Sequence, residues 1–273
     1  MKRRILFLFV CLCLILVGCG RSIGDGSDIK EDNISVGTLR KTVFALVSSA
    51  ENSTTDYSGQ YAYIEDIDDG RGYTAGIIGF TTGTGDLLEV VERYTQLKPE
   101  NELKKYIPAL KKVNGTDSHE GLGEAFIKDW KKAARSAEMI RAQNDILDEQ
   151  YMNAALEYAE EDGLRPLGQY IYYDALVVHG SGEEEDCFEA IREAALKKEK
   201  APSEGGDEAN YLSAFLDARI PVMQAEEAHS DLSRVDAQRK FLNEQNFELA
   251  LPLEWTMYGD EFTLTAEQVE AMK

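Results

Sequence analysis

Between Glu51 and Arg71 the chain carries six carboxylates, Glu51, Asp56, Glu65, Asp66, Asp68 and Asp69, and the run closes on Asp-Gly-Arg-Gly. Glu51 follows an apolar stretch, Thr38 to Ser49, whose helical period places Leu39, Val43, Leu46 and Val47 on one face. Asp69 lies between Asp68 and Gly70, with Arg71 as the nearest cation. The spacing of Tyr57, Tyr61 and Ile64 predicts a short helix over Tyr57 to Asp66 that Gly70 and Gly72 terminate. An acidic cluster at such an end needs a cation, because helix carbonyl ends are already partly negative. Two carboxyls on separate elements across a groove can work as a pair, one donating a proton to a leaving oxygen and one acting from the opposite side. That is what cleavage of a glycosidic bond requires. A solvated acidic turn has the same spacing, so the residue types alone leave both readings open.

Other chemistries lack their residues. His119, His179 and His229 share no zinc-like spacing, there is no Gly-x-Ser-x-Gly elbow, and GFTTGTGD lacks the Lys-Ser/Thr ending of a phosphate loop. Asp66-x-Asp68-x-Gly70 begins like a calcium loop but has Arg71 where glycine is required. No metal or organic cofactor is expected. Asp86 opens DLLEVVERYTQL and, with Glu89, has the spacing of a capping box. Asp174 sits inside the apolar helix LGQYIYYDALVV and must be paired or protonated if buried. Glu226, in QAEEAH, is equally a surface charge or part of such a network.

The positioning elements are mostly helical. Helices are predicted near Glu100–Leu110, Gly123–Ala137, Ala142–Ala159, Leu164–His179, Asp186–Lys198, Glu208–Ala228 and Val235–Asn243, with strand structure confined to Tyr73–Thr81. The expected class is mainly α with a small β element, the folded part running from about Val36 to about Thr265 as one domain or two lobes sharing a cleft. Cys187, in GEEEDCFEA, is expected to be a bystander. The formal charge is −21, which excludes nucleic acid as a partner and favours a polycation over a polyanion.

The N-terminus has Lys2, Arg3 and Arg4 before an apolar run over residues 5–17, too short to span a membrane and built like a secretory signal. Leu16-Val17-Gly18-Cys19 resembles the lipobox of bacterial lipoproteins. That resemblance implies a signal peptide over 1–18, a lipid on Cys19, a flexible tether over 19–35, and a secreted protein held at the outer face of the cell membrane by its lipid alone. Cleavage there removes three cations and takes the charge to −24.

SSAENS, YIEDIDDGRGYTAGIIGFTTGTGD, LKKVNGTDSHEGLG, LGQYIYYDALVVHG, LDAR, SRVD and YGD follow one another along the chain. Together they resemble the signature of the bacterial chitosanases, glycoside hydrolase family 46, over nearly all the chain after residue 36. The resemblance implies a monomeric, two-lobed, lysozyme-like fold over residues 36–273 and an inverting endo-acting enzyme that cleaves β-1,4-linked glucosamine chains. It implies Glu51 as general acid, Asp69 as general base and Thr74 as the residue that helps Asp69 hold the attacking water. Ser53, Tyr63, Arg71, Thr84, Asp86, His229 and Asp260 match glucosamine-contacting positions. Asp174, Arg219 and Arg234 match a network supporting the acid, which Glu226 would join. The sequence departs from the family in its lipobox, in Thr81 where some members have cysteine, and in a one-residue contraction near Ala237–Lys240. Two alternatives are a lysozyme-like peptidoglycan hydrolase, whose anionic polymer fits this charge badly, and a non-catalytic lipoprotein that captures polycations.

Overall fold

The computed structural model describes residues 33–225 and 231–272. Cys19, Glu226, His229 and the leader lie outside them. Helix α1 (Gly37–Asn52) buries eight consecutive residues, Thr42 to Ser49, so it is a core helix rather than a surface one. Ser53 closes it in the left-handed conformation, φ 52°. A 3₁₀ turn (Tyr57–Ala62) then leads into a three-stranded antiparallel sheet of β1 (Ile64–Asp66), β2 (Tyr73–Ala75) and β3 (Phe80–Thr81). The register pairs Ile64 with Ala75, Glu65 with Thr74 and Asp66 with Tyr73. The helix expected over Tyr57–Asp66 is therefore a 3₁₀ turn followed by a strand, and Asp69 sits in a hairpin loop instead of past a helix end. The helical spacing held only as far as the 3₁₀ turn.

Among the described residues, eleven α-helices and five strands follow the chain. Those after β3 are α2 (Asp86–Leu97), α3 (Ile107–Val113), α4 (Glu124–Ala133), α5 (Ala137–Leu147), α6 (Asn153–Asp162), α7 (Pro166–His179), α8 (Phe188–Leu196), α9 (Glu208–Ala225), α10 (Ser233–Asn243), the hairpin β4 (Leu253–Met257) and β5 (Asp260–Leu264), and α11 (Ala266–Ala271). They enclose two apolar cores. The smaller unites β1–β3 with α2–α5 around Phe80, Tyr94, Phe126 and Trp130. The larger gathers α1, α6–α10 and the β4–β5 hairpin around Tyr170, Tyr173, Phe215 and Trp255. One rod joins them: α5 runs through a π-helical segment, Asp148–Met152, straight into α6. Ile146 belongs to the smaller core, Leu147 and Met152 to the larger. A π segment carries an extra residue per turn and rotates the apolar face at that point, so the single helix expected over Ala142–Ala159 changes core midway.

Three further expectations change. The folded part starts earlier and ends later than expected. Ile34 is fully buried, its amide donating to Gln169 Oε1 at 3.1 Å, and α11 packs beyond Thr265 behind a Thr265–Gln268 capping box. The β4–β5 hairpin, unforeseen, turns on Tyr258 and Gly259, both at positive φ (52° and 88°), as a two-residue primed turn needs. Asp86 is the first helical residue, not a cap, and Gly85 precedes it. Its Oδ1 accepts from Thr81 N at 2.7 Å, Thr84 Oγ1 at 2.7 Å and Leu87 N at 2.8 Å, so the carboxylate ties β3 to α2.

Candidate active site

Glu51 occupies the last turn of α1 with its side chain about half exposed, 46%. Arg234, from α10, donates through Nη2 to Glu51 Oε1 at 2.6 Å and through Nε to Asp174 Oδ1 at 2.8 Å. Asp174, in the middle of α7, gives its other oxygen to Arg219 Nη1 at 2.7 Å and Gln238 Nε2 at 2.8 Å. Arg219, on α9, also donates through Nε to His179 Nε2 at 3.0 Å. Asp174 and Arg219 are fully buried and Arg234 is nearly so. The cluster thus holds two guanidiniums against one buried carboxylate, and Glu51 supplies the fourth charge at the cleft edge.

Burial alone would push the Asp174 carboxyl up, but Arg234 and Arg219 hold it below the usual carboxylate range. The two arginines diverge. Burial lowers Arg219, with Arg234 adding repulsion, whereas in Arg234 the pull of Asp174 and Glu51 overrides burial and raises it. Arg234 has two carboxylates and Arg219 shares one, which accounts for the difference. Both remain charged.

The second carboxylate is held differently. The loop after β1 takes positive φ at Asp68 (56°), Gly70 (79°) and Gly72 (75°). At Gly72 any side chain would strike Thr82 Oγ1, so only glycine passes there. Asp69 Oδ2 accepts from Arg71 Nε at 2.8 Å and Nη2 at 2.6 Å, while Oδ1 accepts from Arg71 N at 3.0 Å. These bonds, led by the guanidinium, hold the Asp69 carboxyl below its ordinary range. Arg71 was expected to be its counter-ion, and it is.

A cleft of about 550 Å³ is lined by Glu51, Tyr63, Arg71, Thr74 and the Gly76–Gly79 turn, with Val177 and Val178 of α7 opposite. It therefore draws on both cores. Thr74 Oγ1 is buried and makes no hydrogen bond, an orphan that a water or a substrate hydroxyl would satisfy. Gln143 of α5 clamps the turn, accepting from Ile77 N at 3.0 Å and donating to Tyr61 O at 3.0 Å.

Of the remaining expected contacts, Tyr63 lines the cleft and its hydroxyl lies 3.4 Å from Glu65 Oε2. Thr84 is spent on Asp86, whose Oδ2 makes no hydrogen bond among the described residues. Ser53 is exposed at the end of α1, and Asp260 is exposed where β5 begins. Sequence reasoning missed His179, Gln238, Tyr151 and Tyr258. Burial raises the Tyr151 phenol, which feels the charges of Asp86 and Arg71, and burial raises the Tyr258 phenol, which feels those of Arg234 and Glu51. Among the described residues no cluster suits a metal ion.

The sequence pattern of glycosyl hydrolase family 46 matches residues 45–253. A chitosanase from Nocardioides sp. (strain N106) is 58% identical over 222 residues, covering 81% of this chain and 80% of that protein. A chitosanase from Streptomyces sp. (strain N174) is 54% identical over 228 residues, 83% and 82% of the two chains. Among solved structures, the co-crystal structure of chitosanase OU01 with substrate superposes with a TM-score of 0.78 at 51% identity, covering 85% of this chain and 99% of that one. With that coverage, and with two carboxylate arms built into one two-cored helical fold, the chain belongs to glycosyl hydrolase family 46.

Proposed function

We propose that this chain is a chitosanase that hydrolyses β-1,4 linkages between glucosamine units by single-displacement inversion. The observation that carries the reading is the contrast in how its two carboxylates are held. Arg71 keeps Asp69 ionised, the state a base needs, while Glu51 has Arg234 on one oxygen only. Arg234 bonds Glu51 Oε1, which leaves Oε2, without a hydrogen bond among the described residues, to face the leaving oxygen. Donation to the leaving oxygen places a negative charge on Glu51, and Arg234 already stands where that charge develops. Asp69 takes a proton from a water that the orphaned Thr74 Oγ1 helps to orient, and the water attacks the anomeric carbon from the far face. Inversion requires room for that water, with carboxyls roughly 6.5–9.5 Å apart.

The relatives are named chitosanases, and one solved neighbour is a co-crystal with substrate. A polyglucosamine is cationic when its amines are protonated, which suits a chain of charge −21. By the same reading the enzyme is exported and held by a lipid on Cys19, with metabolic lipid labelling of wild type against Cys19→Ala as the check.

A reducing-end assay on soluble chitosan tests the activity, and NMR of the first products reads the anomer. Release of the α-anomer by wild type, lost in Glu51→Gln, is expected. Retained configuration would overturn the mechanism, and no turnover would overturn the function.

A further inference from the structure

His119 lies on the strap between α3 and α4 and belongs to none of the groups assigned so far. Its ring stacks on Tyr73, centroids 4.1 Å apart and planes 26° from parallel. Its Nε2, shielded from solvent and without a hydrogen bond, stands 3.3 Å from Asp66 Oδ2, close enough for an ion pair though off the line of a hydrogen bond. Asp66 and Tyr73 are the last register pair of the β1–β2 hairpin, and the loop carrying Asp69 and Arg71 hangs between them. His119 therefore touches both ends of that loop at once.

Each end is also where the loop's own bonds start. Asp66 Oδ1 accepts from Asp68 N at 2.9 Å and so sets the first turn of the loop, leaving Oδ2 to face the imidazole. Tyr73 bonds Thr82 through both its amide and its carbonyl, at 3.0 Å each. The strap is tied to the same region, with Gly115 N donating to Gly83 O at 2.8 Å and Gly83 N to Arg71 O at 2.8 Å. The strap thus packs over the base of the loop, and its histidine lies against the loop's anchor carboxylate.

We infer that His119 is a positioning residue, a clasp that closes on Asp66 when the imidazole is charged and thereby orders the loop bearing Asp69 and Arg71. The inference rests on Asp69 being the base of the proposed reaction. A protonated imidazole attracts the Asp66 carboxylate and a neutral one does not, so the clasp tightens as pH falls and opens as pH rises. The charged groups on the neighbouring elements are mostly acidic, Asp66 on β1, Asp117 and Glu120 on the strap and Glu124 at the start of α4, with Lys112 of α3 paired to Glu120 at 2.5 Å. Tyr73, the remaining titratable neighbour, stays a neutral phenol through this window, since burial and the nearby Asp66 and Glu124 push it up. The arrangement would give the enzyme its firmest loop at mildly acidic pH, where a polyamine substrate is most fully charged.

The test compares wild type with His119→Phe, which keeps the ring on Tyr73 but cannot be charged, and with Asp66→Asn, which keeps the acceptor for Asp68 N but loses the charge. On soluble chitosan, kcat/KM of wild type over His119→Phe should rise from near 1 above pH 7.5 to about three- to fivefold below pH 5.5, the modest worth of a part-exposed pair. Asp66→Asn should reproduce that profile, and the double variant should lose no more than either single one. Amide hydrogen exchange of residues 67–72, compared between proteins at equal pH, should be faster in both variants at pH 5.5 and alike at pH 8. A rate ratio that does not change with pH, or loop exchange unaltered at pH 5.5, overturns the clasp. If wild type leaves chitosan uncut the functional reading fails, while the exchange comparison still decides the clasp. If His119→Phe does not fold, Asp66→Asn decides it in both measurements.

Discussion

The two candidate carboxylates, one on the acid arm and one on the base arm of the proposed mechanism, are held on opposite principles. Glu51 stands on a core helix and is braced by buried charges drawn from three others, with Asp174 and Arg219 fully removed from water. Asp69 rides on an exposed glycine-punctuated loop and is held by Arg71, its neighbour but one, whose side chain is half exposed (52%). A proton donor has to be presented at a fixed distance from the scissile bond, and a buried network fixes it at the cost of needing every partner. A base that gathers a mobile water can stand on a loop, provided its charge is secured locally. In the proposed mechanism the acid's geometry is thus a property of the whole larger core, and the base's is a property of its hairpin loop and the strap packed against it.

The largest effects should fall on chemistry and be equal on the two arms. Glu51→Gln keeps the acceptor for Arg234, and Asp69→Asn keeps the one for Arg71 N, so each should fold normally and lose about 10²–10⁴-fold in kcat, the usual worth of a general acid or base. Steady-state turnover with a circular-dichroism melt alongside checks this. A near-normal rate in either variant would remove that residue from the reaction.

The arms should part on stability. Asp174→Asn leaves two buried guanidiniums facing each other, and removing one partner of a buried charge network costs about 3–5 kcal/mol. Urea unfolding should show that loss, whereas Arg71→Ala, on the exposed arm, should unfold at nearly the wild-type midpoint. The pH sign follows from the direction of the Asp174 shift. Its folded carboxyl is depressed below the unfolded value of about 3.9, so its stabilising share is complete above that pH and is lost as pH falls through the folded value. Wild type should therefore lose stability in strong acid along a limb that Asp174→Asn lacks. A matching loss in Arg71→Ala would dissolve the contrast between the arms.

On the exposed arm pH should act on rate instead. Arg71 bonds depress the Asp69 carboxyl, so Asp69, the proposed base, remains ionised into more acidic solution than an ordinary aspartate would. Arg71→Ala should move the acid limb of kcat/KM to higher pH. A limb left in place would mean that Asp69 does not carry it, whatever the change in height.

The same contrast decided what could be read in the sequence. Asp69 and Arg71 are neighbours, so their pairing was visible from types and spacing. Asp174 was visible as a charge needing a partner, because it interrupts an apolar helix. Its partners were not, since Arg219 and Arg234 lie 45 and 60 residues away and entered only through the family resemblance. His179 and Gln238 carry no charge to balance and left no signal. Among the elements, long helices such as α1 and α7 were legible from their apolar runs. Strand structure was legible over Tyr73–Thr81, where β2 and β3 lie, but β1, three residues long, is too short for alternation to show. The β4–β5 hairpin was legible in principle: Leu253, Trp255 and Met257 alternate inward, but its turn is Tyr-Gly rather than the Asn-Gly that usually marks one.

The smallest expected effect sharpens the comparison most finely, because salt reaches only one arm. At 0.1 M ionic strength charges in water are screened beyond about 10 Å, while buried pairs are screened far less. Asp69 and the exposed Glu65 and Asp68 near it share their surroundings with solvent, and a glucosamine oligomer would meet them through its ammonium groups. Raising sodium chloride from about 20 to about 200 mM should weaken binding of a short glucosamine oligomer to Glu51→Gln several-fold, read by calorimetry. Over the same range the destabilisation by Asp174→Asn should stay constant, since water and ions do not enter between Asp174 and its arginines. Salt-independent oligomer binding would count against an electrostatic grip on the substrate. A salt-dependent cost at Asp174 would mean that the network opens to solvent, and the acid arm would then be no more rigid than the base arm.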